Sequence, residues 1–260
     1  NETRIGSAPA ADALLVRHPG WGALEQRAFE YLRLRFGAGA TAGRAWYRDE
    51  AIVEYGSESA RARAALGLMP NEPLITAVDR ALVAGRWFVE GEDEACILST
   101  SMAARLGFSA SDAGRESIRY LGSELEVVGL IDEEQFDRLR DVGGGPLTPL
   151  DEDAQQPDEK MAGRGASHLQ AAFTHLVSAQ VLILPYAAVR RWGEKAGIAS
   201  VAVSMHTNGM GAAGELAEEI SLSMFATTGG HRYLINAAGV QVFSGRTDIW
   251  IPVLIAALIV

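Results

Sequence analysis

Cysteine is nearly absent: Cys96 is the only one in 260 residues, so no intrachain disulfide can staple the fold and packing must hold it. Positive charge is scarce as well. The 23 lysines and arginines fall short of the 33 aspartates and glutamates, and a net charge of −10 repels phosphate backbones and anionic surfaces. Nucleic acid is therefore not an expected partner. With 28 glycines and 9 prolines the chain is far from collagen-like or low-complexity composition. Catalytic signatures are missing too. There is no Gly-x-x-x-x-Gly-Lys-Ser/Thr phosphate loop, no Gly-x-Ser-x-Gly elbow, no His-Glu-x-x-His and no Cys-x-x-Cys. The five histidines, at 18, 168, 175, 206 and 231, include no pair four residues apart, the spacing that lets one helical face chelate zinc.

What is present is a globular composition, 48% hydrophobic and 22% charged, enough for one large domain or two modest lobes. From Gly20 to Phe36, Trp21, Leu24, Ala28, Tyr31 or Leu32 and Phe36 fall on one stripe, which predicts an amphipathic helix. A second helix is expected after Ser57, through the Ala/Arg-rich stretch to Leu66, with Gly67 as its stop. Between them Gly37–Gly43 imitates a dinucleotide loop, but the spacing is wrong and it follows a helix rather than a strand. From Leu74 the period shortens. Leu74–Val78, Ala95–Ser99, Ser117–Leu121 and Glu124–Ile131 read as strands, Ser99–Leu106 as a helix stopped by Gly107, and Asp132 with Gln135 as a capping box for a helix carrying Phe136 and Leu139 inward.

A Gly-rich stretch, Gly143–Pro146, and an acidic one, Asp151–Lys160, read as a loop or linker. Asp151 and Asp153 lack the sharp-turn glycine and distal glutamate of a calcium loop, so a solvated charge run is expected. Beyond it come a strand Val181–Leu184, a short helix after Pro185, a strand Ala199–Met205, a helix within Gly211–Phe225, and hairpin arms His231–Ile235 and Val240–Phe243. Cys96 lies between Ala95 and Ile97 and is expected to be buried and inert. The acidic pairs Asp93/Glu94 and Glu218/Glu219 have the spacing of ordinary surface carboxylates.

Asn1 stands where an initiator methionine is expected, and the first nine residues have neither the basic start nor the apolar run of a signal peptide. At the other end Trp250–Val260 is a run of apolar residues without charge. As a helix it would extend about 16 Å against a hydrocarbon core of about 30 Å, so it is read as the start of a truncated transmembrane helix, with Trp250 at the interface and Pro252 in the first turn. The alternative is a buried strand or core helix.

The block Ala84-Gly85-Arg86-Trp87-Phe88, followed by Ala95-Cys96-Ile97-Leu98-Ser99 and a helix closing on Ala103-Ala104-Arg105-Leu106-Gly107, resembles the extracytoplasmic domain of MacB/FtsX-like ABC transporter permeases. Leu125-Glu126-Val127-Val128-Gly129-Leu130-Ile131-Asp132 is similar to a strand of that family, with Leu125 where an aromatic is usual. Val181-Leu182-Ile183-Leu184-Pro185-Tyr186 and the Asp248–Pro252 entry to the apolar run complete the likeness, which covers about Leu74 to Val260. Each element also has a local cause. Gly85 can make the turn that lets Trp87 and Phe88 bury, and Gly129 can admit a bulge or a close backbone approach.

The resemblance implies an α+β, mixed α/β fold of two lobes: residues 1–247 as the extracytoplasmic domain, with 74–140 the best-matching segment, 141–165 a flexible acidic and Gly-rich linker or insert, 166–247 a second part, and 248–260 the membrane entry. It implies a non-enzymatic part of a bacterial ABC permease that carries ATP-driven motion across the inner membrane and faces the periplasm or cell exterior. Its expected partners are a cytoplasmic ATPase on a separate chain, a second permease copy in the membrane, and a periplasmic or surface protein. No catalytic, cofactor-binding or metal-ligating residue is assigned, and no cofactor. The rival readings are a soluble or secreted hydrolase or small-ligand receptor, which requires a deep pocket with convergent polar groups, and the sensor domain of a membrane kinase.

Overall fold

Runs of Val, Leu, Ile and Ala too continuous to alternate are suited to strands covered on both faces. Such runs form the middle of the protein. The computed structural model describes residues 13–154, 174–205, 210–228, 230–231, 233–237 and 240–243. In chain order the elements are β1 (Ala13–Arg17), α1 (Gln26–Phe36), β2 (Thr41–Tyr47), β3 (Ala51–Tyr55), β4 (Glu58–Ala62), β5 (Ala64–Leu68), α2 (Pro73–Thr76), β6 (Leu82–Gly85), β7 (Ala95–Ser99), α3 (Thr100–Leu106), β8 (Ser117–Tyr120), β9 (Ser123–Ile131) and α4 (Glu133–Asp137). They continue as β10 (Val181–Pro185), α5 (Tyr186–Arg190), β11 (Ala196–Ser204), α6 (Met210–Thr227), β12 (Leu234–Ala237) and β13 (Val240–Phe243).

The described strands join one mixed sheet in the order β13-β12-β1-β11-β2-β5-β10-β7-β9-β8-β3-β4, with β6 added to β9. Pairs β5/β10 and β7/β9 are parallel; the others are antiparallel. Every residue of β1, β5, β7 and β10 is buried, as expected for interior strands covered on both faces. The sheet narrows in the middle. Its two halves meet where β10 pairs with β7 through the one register pair Ile183–Ile97, and both side chains are about 1% exposed or less.

Several expectations hold in detail. Ser99 caps α3 by accepting from the Met102 amide at 3.2 Å, and Gly107 closes it at φ 69° while the Phe108 amide reaches back to the Ala103 carbonyl at 2.9 Å. Asp132 accepts from the Gln135 amide at 2.8 Å at the start of α4, and Phe136 is buried. Gly129 sits at a bulge: Cys96 faces Val127 and Ile97 faces Gly129, leaving Val128 as the extra residue. The short helix after Pro185 is found, and so is the hairpin, with its second arm Val240–Phe243 as expected and its first shifted from His231–Ile235 to Leu234–Ala237.

Other expectations are corrected. The helix expected from Ser57 to Leu66 is instead β4, the end of a hairpin turning at Gly56 (φ 57°), followed by β5. The residues alternate: Ala60, Ala62 and Ala64 are buried while Arg61 and Arg63 lie between them, so a period of two wins over the helix propensity of Ala and Arg. The strand expected at Leu74–Val78 is the short helix α2, started by Pro73 and ended by Ala77 in the left-handed region, then a 3₁₀ turn Val78–Ala81. Helix α1 begins at Gln26 rather than Gly20, because Trp21 has φ 57° and the Leu24 amide donates to the Ile198 carbonyl at 2.7 Å. Strands β1, β2 and β3 were not anticipated. The run Trp250–Val260 lies outside the described residues, and among the described residues no helix is long and apolar enough to cross a membrane.

Candidate functional site

An arginine in the middle of a wholly buried strand must be neutralised by something. In β2 that residue is Arg44, 2% exposed, and its fork binds Glu72, 0% exposed, through Nη2 at 2.9 Å and Nε at 3.2 Å. Thr76 donates its hydroxyl to the same carboxylate at 3.0 Å. From the other side Asp141, 3% exposed, stands 3.6 Å from Arg44 Nη1 and accepts the Gly145 amide at 2.9 Å. Burial raises the pKa of Asp141, and Arg44 and Arg17 pull against it; burial likewise opposes charge on Arg44, but Glu72 and Asp141 more than offset that. The network ties a central strand to α2 and to the Asp141–Gly145 turn. It resists separation of these parts because exposing any one member leaves its partner buried and unpaired.

Beside it lies an aromatic clamp. Trp21 stacks on Trp46 at 5.7 Å between centroids, Arg17 sits 4.3 Å over the Trp21 ring, and His175 meets that ring edge-on at 5.1 Å. The Thr148 carbonyl contacts His175 Nδ1, and burial keeps the imidazole below its ordinary pKa. Around the clamp, Asp151 accepts Arg63 through both carboxylate oxygens at 2.8 and 2.9 Å, and Asp153 accepts Arg63 at 2.6 Å. The Asp151 amide donates to Thr174 O, and the Leu176 amide to Pro149 O, each at 2.9 Å. Residues 148–151 and 174–176 are thereby paired with each other and pinned to the sheet.

The residues singled out in the sequence are dispersed. Cys96 is 0% exposed, and burial, with Glu126 nearby, pushes its thiol pKa well up. Asp93 faces Arg191, and Glu219 pairs with Arg35 at 2.8 Å. His18 accepts the Gly20 and Gly22 amides, His231 pairs with Glu25 at 2.9 Å, and His168 and His206 lie outside the described residues. Asp151 and Asp153 meet, but on a guanidinium. Among the described residues no cluster of three or more His, Cys, Asp or Glu could hold a metal. Sequence reading missed Arg44, Glu72 and Asp141, whose one visible mark is a charge inside the run Thr41–Tyr47.

The architecture as a whole is similar to that of solved transporter domains. The periplasmic region of MacB from Actinobacillus actinomycetemcomitans superposes with a TM-score of 0.55 over 87% of this chain and 89% of that region, at 12% identity. The chain has the fold of the MacB periplasmic region. The extracellular domain of the noncanonic ABC-type transporter YknZ from Gram-positive bacteria gives a TM-score of 0.50 over 85% of this chain and 97% of that domain, also at 12% identity. No family model matches the chain, and no curated protein matches it. The MacB-like resemblance, read over about Leu74 to Val260, thus agrees with the fold, mixed α/β with helices packed on a large mixed sheet.

Proposed function

We propose that this chain is the extracytoplasmic domain of a bacterial ABC transporter permease, and that it passes ATP-driven motion of membrane helices to a substrate or protein partner outside the membrane. The observation that carries this reading is the likeness to the MacB region, which runs through nearly nine-tenths of both chains. In this reading the buried Arg44 network and the Trp21 clamp keep the sheet rigid enough to act as a lever, and no side chain performs acid–base chemistry. The motor is a cytoplasmic ATPase on a separate chain, working on a permease dimer, and residues 248–260 lead into the membrane. Purifying the full-length gene product from membranes tests this: a nucleotide-hydrolysing subunit should co-purify, and truncation of the extracytoplasmic domain should abolish transport while leaving ATPase assembly intact. Recovery of the full-length product as a lone protein without an ATPase partner would count against it.

A further inference from the structure

An open groove of about 570 Å³ lies beside the carboxyl-terminal ends of β5 and β10, within the range of small-molecule sites. Its floor is apolar. Phe29 of α1 and Tyr186 of α5 pack at 5.4 Å between centroids, and Met69 lies beside them with its sulfur accepting the Gly43 amide at 3.0 Å. Gly43 makes this floor possible, because a Cβ there would come within 2.9 Å of Phe29 and 3.0 Å of Tyr186. The far wall is the turn Val89–Asp93, where Val89 is 53% exposed. That wall is already fixed: Glu92 accepts Arg86 at 2.6 and 2.9 Å and the Val89 amide at 3.1 Å, and the Asp93 carbonyl accepts Arg191 at 2.8 Å.

Six charges face the groove. Glu92 is taken up by Arg86, and Asp93 and Arg191 offset one another at 3.9 Å. That leaves Arg33 and Arg190 against Glu90. Among the described residues no carboxylate pairs with either arginine; Arg190 donates to the Ala196 carbonyl. Arg33 and Arg190 both line the groove with Tyr186, whose phenol is pushed up to about 12 by burial while the two arginines pull it back. In a chain of net charge −10, an excess of cations over an apolar bed is a local inversion of the surface.

We propose that this groove binds a single-chain amphipathic anion, a fatty carboxylate or an alkyl phosphate, with its head on Arg33 and Arg190 and its chain along Phe29, Met69 and Val89. Guanidinium forks suit both head groups, and the fixed wall means little ordering is required on binding. The inference stands on the groove and does not depend on the permease reading.

The test is calorimetric titration of the chain with decanoate and decyl phosphate below their micellar concentrations, beside decyl maltoside and inorganic phosphate. The two anionic amphiphiles should bind saturably; the neutral amphiphile and the bare anion should bind at least about tenfold more weakly. Arg33→Glu should weaken both anions by about tenfold or more, while Arg27→Glu on the same helix leaves them unchanged. Arg33 is exposed, so its variant should keep the parent's circular dichroism and melting temperature. If decanoate alone binds, the head is a carboxylate; if decyl phosphate alone, a phosphate. Equal binding of decyl maltoside, or parent-like binding by folded Arg33→Glu, overturns the proposal, and the head-group comparison on the parent decides it even where a variant fails to fold.

Discussion

A Cβ built on Gly85 would stand 2.1 Å from the carbonyl oxygen of Val128, the residue left over by the bulge in β9. Residue 85 also has φ 73°, a region that costs a side chain strain by itself. Gly85→Ala is therefore expected to lower unfolding free energy by more than about 3 kcal/mol, since backbone must move as well as adopt a strained angle. Gly91→Ala is the control: φ is 79° and nothing lies within 4 Å, so the loss should be about 1 kcal/mol. Urea denaturation of the two variants measures the difference, and equal losses would refute the close-approach account.

Arg44→Met leaves Glu72 and Asp141 buried with no guanidinium between them. A loss of about 3–5 kcal/mol is expected from an uncompensated buried charge. Adding Glu72→Gln to that variant should restore part of the loss, because one of the stranded charges disappears. A double-mutant cycle by chemical denaturation gives the coupling; strict additivity would mean the two side chains do not act on each other.

Glu133 ties two helices together by accepting the Thr100 hydroxyl and the Ser101 amide at the start of α3. Burial opposes its charge, but these donors prevail and hold its pKa down to about 2, against an ordinary 4.5. A depressed carboxylate contributes stability that is complete above its unfolded pKa and lost as pH falls from about 4.5 toward 2. Glu133→Gln should thus be less stable than the parent by about 1 kcal/mol at neutral pH, a figure reduced for its partial exposure. Melting curves recorded down to pH 2 should converge. A gap that persists at pH 2 would assign the effect to shape rather than charge.

Cys96 has no exposed surface, and its thiolate is disfavoured by burial. In native buffer a thiol-specific reagent should label it only as fast as the fold opens, and labelling in denaturant should be immediate and stoichiometric. Rapid native labelling would show that the β7/β9 pair opens locally.

The later part of the chain was the more legible from sequence, for a physical reason. Its strands β7, β9 and β10 are short apolar runs bounded by unambiguous punctuation: Ser99 and Gly107 around α3, Asp132 before α4, Pro185 before α5. Each mark acts within four residues, which is the range over which a sequence speaks directly. Glu58–Leu68 misled because Ala and Arg favour a helix in isolation, whereas the pairing of β4 with β3 and of β5 with β2 and β10 makes strands of them. The Arg44 network was opaque for the same reason. Arg44 reaches across 28 positions to Glu72, and nothing near either residue announces the other. Gly43, which belongs to a stretch that imitates a nucleotide loop, turns out to be the space into which the Phe29 and Tyr186 rings fit.

Strand β1 lies between β11 and β12, and β13 follows β12 at the margin. Leu14 stands beside Ala237 and Arg17 beside Leu234, while Leu234 in turn faces Phe243. The path thus enters this ribbon at one end, at residue 13, and departs at the opposite end, at residue 243. Tension drawn between those points slides β1 and β13 in opposite directions across β12, so the cross-strand bonds are strained together in shear instead of being unzipped singly. A ribbon loaded that way yields late, and force on β1 passes on to its other neighbour, β11, along five register pairs.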